Sequence, residues 1–351
     1  MDFHLLNNRT YVVNSTQDWN SIHKFLNLVF KKINFDIDIS DVLHEKNGKD
    51  YDTYKITTED RKTFFLKISF DSNSPVLARE NFILQKTQGF ATGIVKFFGK
   101  VKIDSPISCL LFQFPSSYNI KNLGREFFME NKELFFKAHQ AFAEIKPSRI
   151  KYKSILNKTL DEWDIENNFN QEAKNSIKSH SDYDRICQLY LDLKKDILAS
   201  FPEVETESTC FTSTSLDSIY FSNNLFYFDD LSKISLYHPF LDLIDIGINF
   251  GFKDSEEKEL LRVFLSTYDI KEGQDLYSQI YYLQLKKKIL ELLYSYLREV
   301  YMFRSQRLDV IIDVVNQFHL CYNKFRKIGL FLDHREFLFN TITEPVFGTK
   351  V

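Results

Sequence analysis

The sequence predicts an α+β fold, with a small antiparallel sheet in the first third of the chain and a larger, mostly helical part after it. Three observations carry this prediction. Apolar residues alternate with a period of two up to about residue 116, the segment Pro115-Ser116-Ser117 interrupts that pattern, and apolar residues then recur mostly at helical spacing. We therefore expect two domains, 1–116 and 117–351, the second containing a short β-hairpin at 218–230.

The sheet is expected to contain four strands and to be accompanied by one helix. A polar turn at 58–62 joins the first two strands into a hairpin. The helix opens at Ser74-Pro75, because proline is well tolerated in the first turn of a helix. The predicted strands are 51–57, 63–70, 93–101 and 109–114, and the helix covers 76–85.

The second domain is expected to be built mainly from helices. Residues 134–145 have helical spacing and stop before Pro147, and two further helices are predicted within 159–200. The hairpin pairs 218–221 with 225–230 through Asn223-Asn224, since asparagine tolerates the positive φ of a tight turn. Long helices follow, with one apolar stripe formed by Ile289, Leu292, Leu293, Tyr296, Leu297 and Val300.

Composition excludes several classes of function. The 351 residues include 45 Lys and Arg against 48 Asp and Glu, a net charge of -3, which argues against nucleic acid as the main partner. There are 10 glycines, where average usage would give about 25, so a glycine-rich phosphate loop is disfavoured. No apolar run is long enough for a membrane span, and the start lacks the pattern of a secretory signal.

The cysteines predict a reducing environment. Cys109, Cys187, Cys210 and Cys321 are scattered without a Cys-x-x-Cys pair, so neither a zinc knuckle nor a disulfide framework is expected. We interpret them as buried, reduced thiols and expect a cytoplasmic location.

Three segments suggest a known family. Phe64-Phe65-Leu66-Lys67-Ile68 lies in a predicted strand, and Glu80 follows Lys67 by thirteen residues in a predicted helix. Residues 109–115 form a predicted strand that ends in proline. Residues 226–230 end in Asp229-Asp230, and 238–243 contain Pro239 and Asp242. This order resembles the bilobal protein-kinase-like fold, and more closely its aminoglycoside phosphotransferase and choline kinase branch.

The resemblance implies a nucleotide site. Lys67 would hold the phosphates of ATP and Glu80 would fix the lysine side chain. Residues 109–115, with Gln113, would be the hinge strand whose backbone meets the adenine edge. Asp230 would be the Mg²⁺ ligand in preference to Asp229, because its spacing to Asp242 fits the family pattern. ATP and Mg²⁺ are therefore the implied cofactors, with no cofactor as the alternative.

The catalytic loop departs from the family pattern. Ser213 stands where the family has its catalytic Asp, Ser218 where it has Asn, and Phe211 where it has His. A serine hydroxyl is a poor base at neutral pH and a weak Mg²⁺ ligand. The phosphate loop, 44–50, offers only Gly48. Asp217, Glu205 or Glu207 could replace the missing acid in a displaced geometry.

Each of these residues also has a purely structural interpretation. Lys67 could be a solvated strand lysine, Glu80 a carboxylate on the helix surface, and Asp229-Asp230 an acidic pair at a strand end. Asp242 is expected to bind backbone N–H groups, and Lys286-Lys287-Lys288 to form a solvated face.

The sequence favours a pseudokinase that acts as a binding, scaffolding or regulatory partner of another protein. Two alternatives stay open. One is an active ATP-dependent small-molecule phosphotransferase, or another nucleotide-dependent transferase. The other is a structural component of a larger assembly. A small-molecule substrate belongs only to the active-enzyme alternative.

Overall fold

A computed structural model describes most of the chain in two compact units. Unit 1 comprises Met1–Pro147 and Leu216–Lys233, and unit 2 comprises Ser148–Ser215 and Ile234–Val351. The predicted domain boundary at residue 116 stays a prediction. The two compact units are defined by contacts within the chain, whereas the prediction concerned the two lobes of the fold. The described residues are 16–47, 51–86, 93–103, 106–114, 118–145, 150–180, 182–205, 207–211, 216–228, 231, 234–268, 270, 274–302, 308–327, 337 and 341–342.

Unit 1 contains a five-stranded antiparallel sheet with the strand order β1-β2-β3-β5-β4. Helix α1 precedes the sheet and helix α2 lies between β3 and β4 in the chain. The bounds are α1 Thr16–Lys32, β1 Ile39–Asn47, β2 Asp52–Thr58, β3 Thr63–Ser69, α2 Pro75–Lys86, β4 Ile94–Lys102 and β5 Pro106–Phe114. The α+β class and the N-terminal antiparallel sheet are confirmed.

The pairing register gives the sheet two different faces, because directly paired residues share a face and successive residues alternate. The Lys67 face carries Thr53, Phe65, Lys67, Leu110 and Phe112. The opposite Leu66 face carries Tyr54, Ile56, Phe64, Leu66 and Leu111. Side chains of the Leu66 face form one buried core with those of α1: Phe25, Leu26, Val29 and Phe30.

The rest of unit 1 is a small sheet and a long helix. Strands β6 (Tyr118–Asn119), β8 (Ile219–Ser222) and β9 (Leu225–Phe228) form a three-stranded sheet in the order β6-β8-β9. Helix α3 (Ile120–Ala143) packs Phe128 and Phe135 against Phe226 of β9. The predicted turn is confirmed, since Asn223 and Asn224 have φ values of 49° and 58°.

Unit 2 is mostly helical, as predicted. Its two short strands, β7 (Ser208–Phe211) and β10 (Ile234–Tyr237), pair antiparallel. Its helices are α4 Tyr152–Glu162, α5 Ile165–Asn168, α6 Gln171–His180, α7 Tyr183–Ala199, α8 Phe240–Phe250, α9 Asp254–Tyr268, α10 Gln274–Leu297 and α11 Leu308–Lys327, with a π-helical turn at Arg298–Met302. No helix among the described residues has both the length and the apolar character needed to span a membrane.

Some local predictions need correction. The helix expected from residue 134 begins at Ile120, and Gly124 interrupts it with φ 85° and ψ 176°. The helical region expected to start at 159 begins at Tyr152. Cys109, Cys210 and Cys321 are buried free thiols, as expected, but Cys187 is only partly buried.

Candidate functional site

Lys67 and Glu80 form a buried ion pair. Strand β3 places Lys67 on the sheet, and α2 places Glu80 above it, so that Lys67 Nζ donates to Glu80 Oε1 at 2.5 Å. Lys67 is 1% exposed and Glu80 is 0% exposed. The interpretations as a solvated lysine and a surface carboxylate are therefore wrong.

Aromatic rings enclose the Lys67 ammonium. Its Nζ lies 5.2 Å from the centroid of the Tyr51 ring and 5.4 Å from that of Phe112. A ring face within about 6 Å attracts a cation. The ammonium is thus held by a carboxylate and two rings in a site closed to water.

The same face of the sheet is filled by aromatic side chains. Phe65 stacks on Phe112 with ring centroids 5.5 Å apart and an interplanar angle of 14°. Phe65 also meets Tyr220 of β8 edge to face, with ring centroids 6.0 Å apart. All three residues are buried. Reasoning from sequence missed this cluster, because Tyr220 belongs to a distant hairpin.

Gln113 lies on the other face from Lys67. It pairs with Phe64 in the register of β3 and β5, which places its side chain on the Leu66 face. There it lines an open concavity of about 680 Å³ together with Phe35, Phe64 and Lys96. The structure therefore does not bring the Gln113 side chain to the Lys67–Glu80 pair, and any adenine contact through its backbone stays a prediction.

The predicted catalytic and metal residues are largely outside the described residues. Ser213, Asp229 and Asp230 lie there, as do Gly48 of the predicted phosphate loop and the hinge segment 115–117. Ser218 is described: it is partly buried and ends the short 3₁₀ helix Leu216–Ser218 that leads into β8. The substitution of the catalytic loop by serines therefore stays a prediction from sequence.

Of the three alternative acids, Glu205 and Glu207 belong to unit 2 and Asp217 belongs to unit 1. Glu205 is exposed, and Glu207 forms an ion pair with Lys151 of the same unit. Asp217 lies in the 3₁₀ helix. No group of three or more His, Cys, Asp or Glu side chains within the described ranges is arranged to hold a metal ion.

The Asp242 carboxylate accepts a hydrogen bond from a backbone N–H group, as expected. Asp242 is buried at the start of α8, and both of its carboxylate oxygens accept from the Phe211 N–H, at 2.9 Å and 3.1 Å. This bond fixes the end of β7, directly before the segment in which the catalytic loop was expected.

A second buried polar cluster lies in unit 2, and the sequence interpretation missed it. Lys287 of α10 is buried, with its Nζ 5.6 Å from the Tyr152 ring centroid, and Gln284 Nε2 donates to Tyr152 Oη at 2.9 Å. Burial lowers the pKa of Lys287, but Tyr152, Asp245 and Glu291 outweigh it and hold the pKa above its usual value. The expectation that this lysine belongs to a solvated face is wrong, because α10 is buried on most sides.

Comparisons with known proteins show the fold. A spectinomycin phosphotransferase in complex with ADP and spectinomycin is 14% identical, with a TM-score of 0.55 over 85% of this chain and 93% of that chain. An amicoumacin kinase with AMP-PNP and Ca²⁺ is 10% identical, with a TM-score of 0.54 over 85% of this chain and 93% of that chain. The choline kinase LicA from Streptococcus pneumoniae is 15% identical, with a TM-score of 0.53 over 87% of this chain and 99% of that chain.

These similarities establish a protein-kinase-like fold of the aminoglycoside phosphotransferase and choline kinase type. No protein-family model matches the chain, and no curated protein sequence matches it. Some of the similar structures hold ADP or AMP-PNP, and one holds Ca²⁺.

The residues around Lys67 do not fit a nucleotide. A phosphate group would need access to the Lys67 ammonium, which is enclosed by Glu80, Tyr51 and Phe112. The neighbouring part of the Lys67 face is occupied by the rings of Phe65, Phe112 and Tyr220. The strand lysine and helix glutamate are thus paired, and among the described residues the face beside them is filled by aromatic rings.

Proposed function

We propose that this chain is a pseudokinase, a protein with the fold of small-molecule phosphotransferases that no longer transfers phosphoryl groups. It acts as a binding, scaffolding or regulatory partner of another protein. The observation that carries the proposal is the enclosure of Lys67, which is 1% exposed and held by Glu80 and two aromatic rings.

The expected catalytic loop supports the same conclusion. By the resemblance, Ser213 and Ser218 replace the Asp and Asn that position the substrate hydroxyl and Mg²⁺. General-base catalysis contributes about 10²–10⁴-fold to a rate, and a serine hydroxyl supplies little of it at neutral pH. The free thiols of the four cysteines are in keeping with a cytoplasmic, reducing compartment.

The test is nucleotide turnover by the purified chain. We expect phosphate release from Mg·ATP to equal the background rate, both in the wild type and in Asp230→Ala, which removes the expected metal ligand. Turnover by the wild type that disappears in Asp230→Ala would overturn the proposal.

A second candidate is an active transferase that uses ATP and Mg²⁺ with a displaced acid. The formed Lys67–Glu80 pair favours it, because an ordered lysine is one requirement of phosphoryl transfer. Asp217, Glu205 and Glu207 are the acids to substitute if turnover is found. Only this candidate requires a small-molecule substrate.

A third candidate is a structural component of a larger assembly. It shares the fold and differs from the first only in its partners. The native size of the complex that contains the chain separates the two, since a permanent assembly member is found only in the large complex.

A further inference from the structure

The register of the sheet indicates where a nucleotide base would have to lie. A nucleotide with its phosphates at Lys67 and its base at the end of β5 would run along the Lys67 face. From Lys67 towards that end, the paired residues on this face are Lys67 with Leu110 and then Phe65 with Phe112. Two residues of a strand span about 6.6 Å. A base would therefore lie against Phe65 and Phe112.

That position is already filled by the chain itself. The rings of Phe65 and Phe112 are stacked, and Tyr220 of β8 contacts Phe65 with ring centroids 6.0 Å apart. Centroid separations of about 4.5–7 Å mean direct contact between two rings. A nucleotide base cannot enter between side-chain rings that are already in contact.

Access of a phosphate to Lys67 is restricted as well, since Lys67 is 1% exposed. Glu80 Oε1 lies 2.5 Å from Lys67 Nζ, and the rings of Tyr51 and Phe112 flank the ammonium. Both ends of the position that a nucleotide would occupy are thus taken by residues of this chain.

We propose that Phe65, Phe112 and Tyr220 form an aromatic plug that replaces the nucleotide base and excludes nucleotides from the Lys67 face. This inference rests on the proposed pseudokinase function and deepens it, since loss of catalysis alone would leave nucleotide binding intact.

The experiment compares Mg·ATP and Mg·ADP binding to the full chain by calorimetry and thermal shift. The wild type is expected to show no saturable binding. Phe65→Ala, which removes the central ring of the plug, is expected to show saturable binding, with a Kd at least about tenfold below the highest nucleotide concentration at which the wild type shows none. Phe64→Ala is the matched control, because Phe64 is also a buried phenylalanine of β3 but lies on the Leu66 face. It is expected to gain no binding.

Three outcomes would overturn the plug. One is saturable binding by the wild type that Phe65→Ala leaves unchanged. Another is equal gain of binding in Phe64→Ala. The third is a folded Phe65→Ala that takes up indole into the new cavity but still binds no nucleotide. If Phe65→Ala does not fold, Phe65→Leu, which keeps an apolar side chain without the ring, is judged by the same outcomes.

The design separates the two proposals. Binding of nucleotide by the wild type without turnover would overturn the proposal of an aromatic plug and leave the pseudokinase proposal intact. Turnover by the wild type would overturn the pseudokinase itself.

Discussion

At the scale of single residues, Lys67 and Glu80 depend on each other. Both side chains are removed from water, at 2% and 1% exposure, and their charges are 2.5 Å apart. Removing two charges from water is costly, and their attraction repays that cost only while both are present and well aligned. The pair is therefore a requirement of the local structure even if no ligand ever binds.

Substitution of one partner should be far more damaging than substitution of both. We expect Lys67→Met to lower the free energy of unfolding by about 3–5 kcal/mol, because Glu80 is left as a lone buried charge. The double variant Lys67→Met/Glu80→Leu should recover most of this loss. Urea unfolding measures each value.

An exposed ion pair supplies the control. Lys62 and Asp60 pair at the surface, with their side chains 58% and 55% exposed. Lys62→Met should leave the unfolding midpoint almost unchanged, since solvent screens such a pair. A double variant at 67 and 80 that is no more stable than Lys67→Met would contradict the account.

At the scale of elements, α3 depends on one glycine. Gly124 interrupts the helix with φ 85° and ψ 176°, a backbone conformation that is essentially restricted to glycine. A Cβ added there would meet no heavy atom within 4 Å. Substitution would therefore test backbone strain without any clash.

Gly124→Ala is expected to destabilise the protein by about 1–3 kcal/mol. The control is Gly247→Ala in α8, where an added Cβ would lie 3.6 Å from Glu257 Oε1, an ordinary contact. There alanine should stabilise by about 1 kcal/mol, because it favours the helix over glycine. Thermal unfolding of both variants measures these changes in stability. Equal changes for Gly124→Ala and Gly247→Ala would show that the backbone at Gly124 is not strained.

The elements found from sequence are those with local signals. The β2–β3 hairpin has alternating apolar residues and a polar turn, and the β8–β9 hairpin has Asn223-Asn224 at its tip. Strand β1 was not predicted, because its sequence ISDVLHEKN does not keep a clean apolar alternation. Strands β7 and β10 pair although the β8–β9 hairpin separates them in the chain, a pairing that no local pattern reveals.

The same distinction holds for the candidate site. The pairing of Lys67 with Glu80 was expected from the resemblance to a known family, in which a strand lysine pairs with a helix glutamate. The contact between Phe65 and Tyr220 could not be predicted, because it depends on the tertiary packing of a distant hairpin. The aromatic filling of the Lys67 face therefore could not be predicted from the sequence.

At the scale of the whole molecule, free cysteines in both units can serve as probes of local unfolding. Cys109 belongs to unit 1, and Cys210 and Cys321 belong to unit 2. Burial raises the pKa of Cys109 to about 12 and that of Cys321 to about 11. The thiolate is the reactive form of cysteine. These buried thiols are therefore protected in two ways: a reagent cannot reach them, and they stay protonated.

Burial also raises the pKa of Cys187, but this thiol is only partly buried. A thiol reagent at pH 8 should therefore modify Cys187 slowly in the native protein and reach the other three thiols only after unfolding. Cys187→Ser should remove the native reaction, and denaturant should then expose three thiols. Mass spectrometry of the modified protein identifies each site. Native modification of Cys109 at the rate of Cys187 would show that unit 1 opens readily.

The buried ion pair also restricts how this sequence can change over time. A path from Lys67 and Glu80 to two apolar residues passes through an intermediate with one lone charge in a dry site, whichever residue changes first. Such an intermediate lies well below either end of the path in stability. The two residues can thus persist together after a ligand has been lost, so their presence in a sequence does not by itself show that a nucleotide binds.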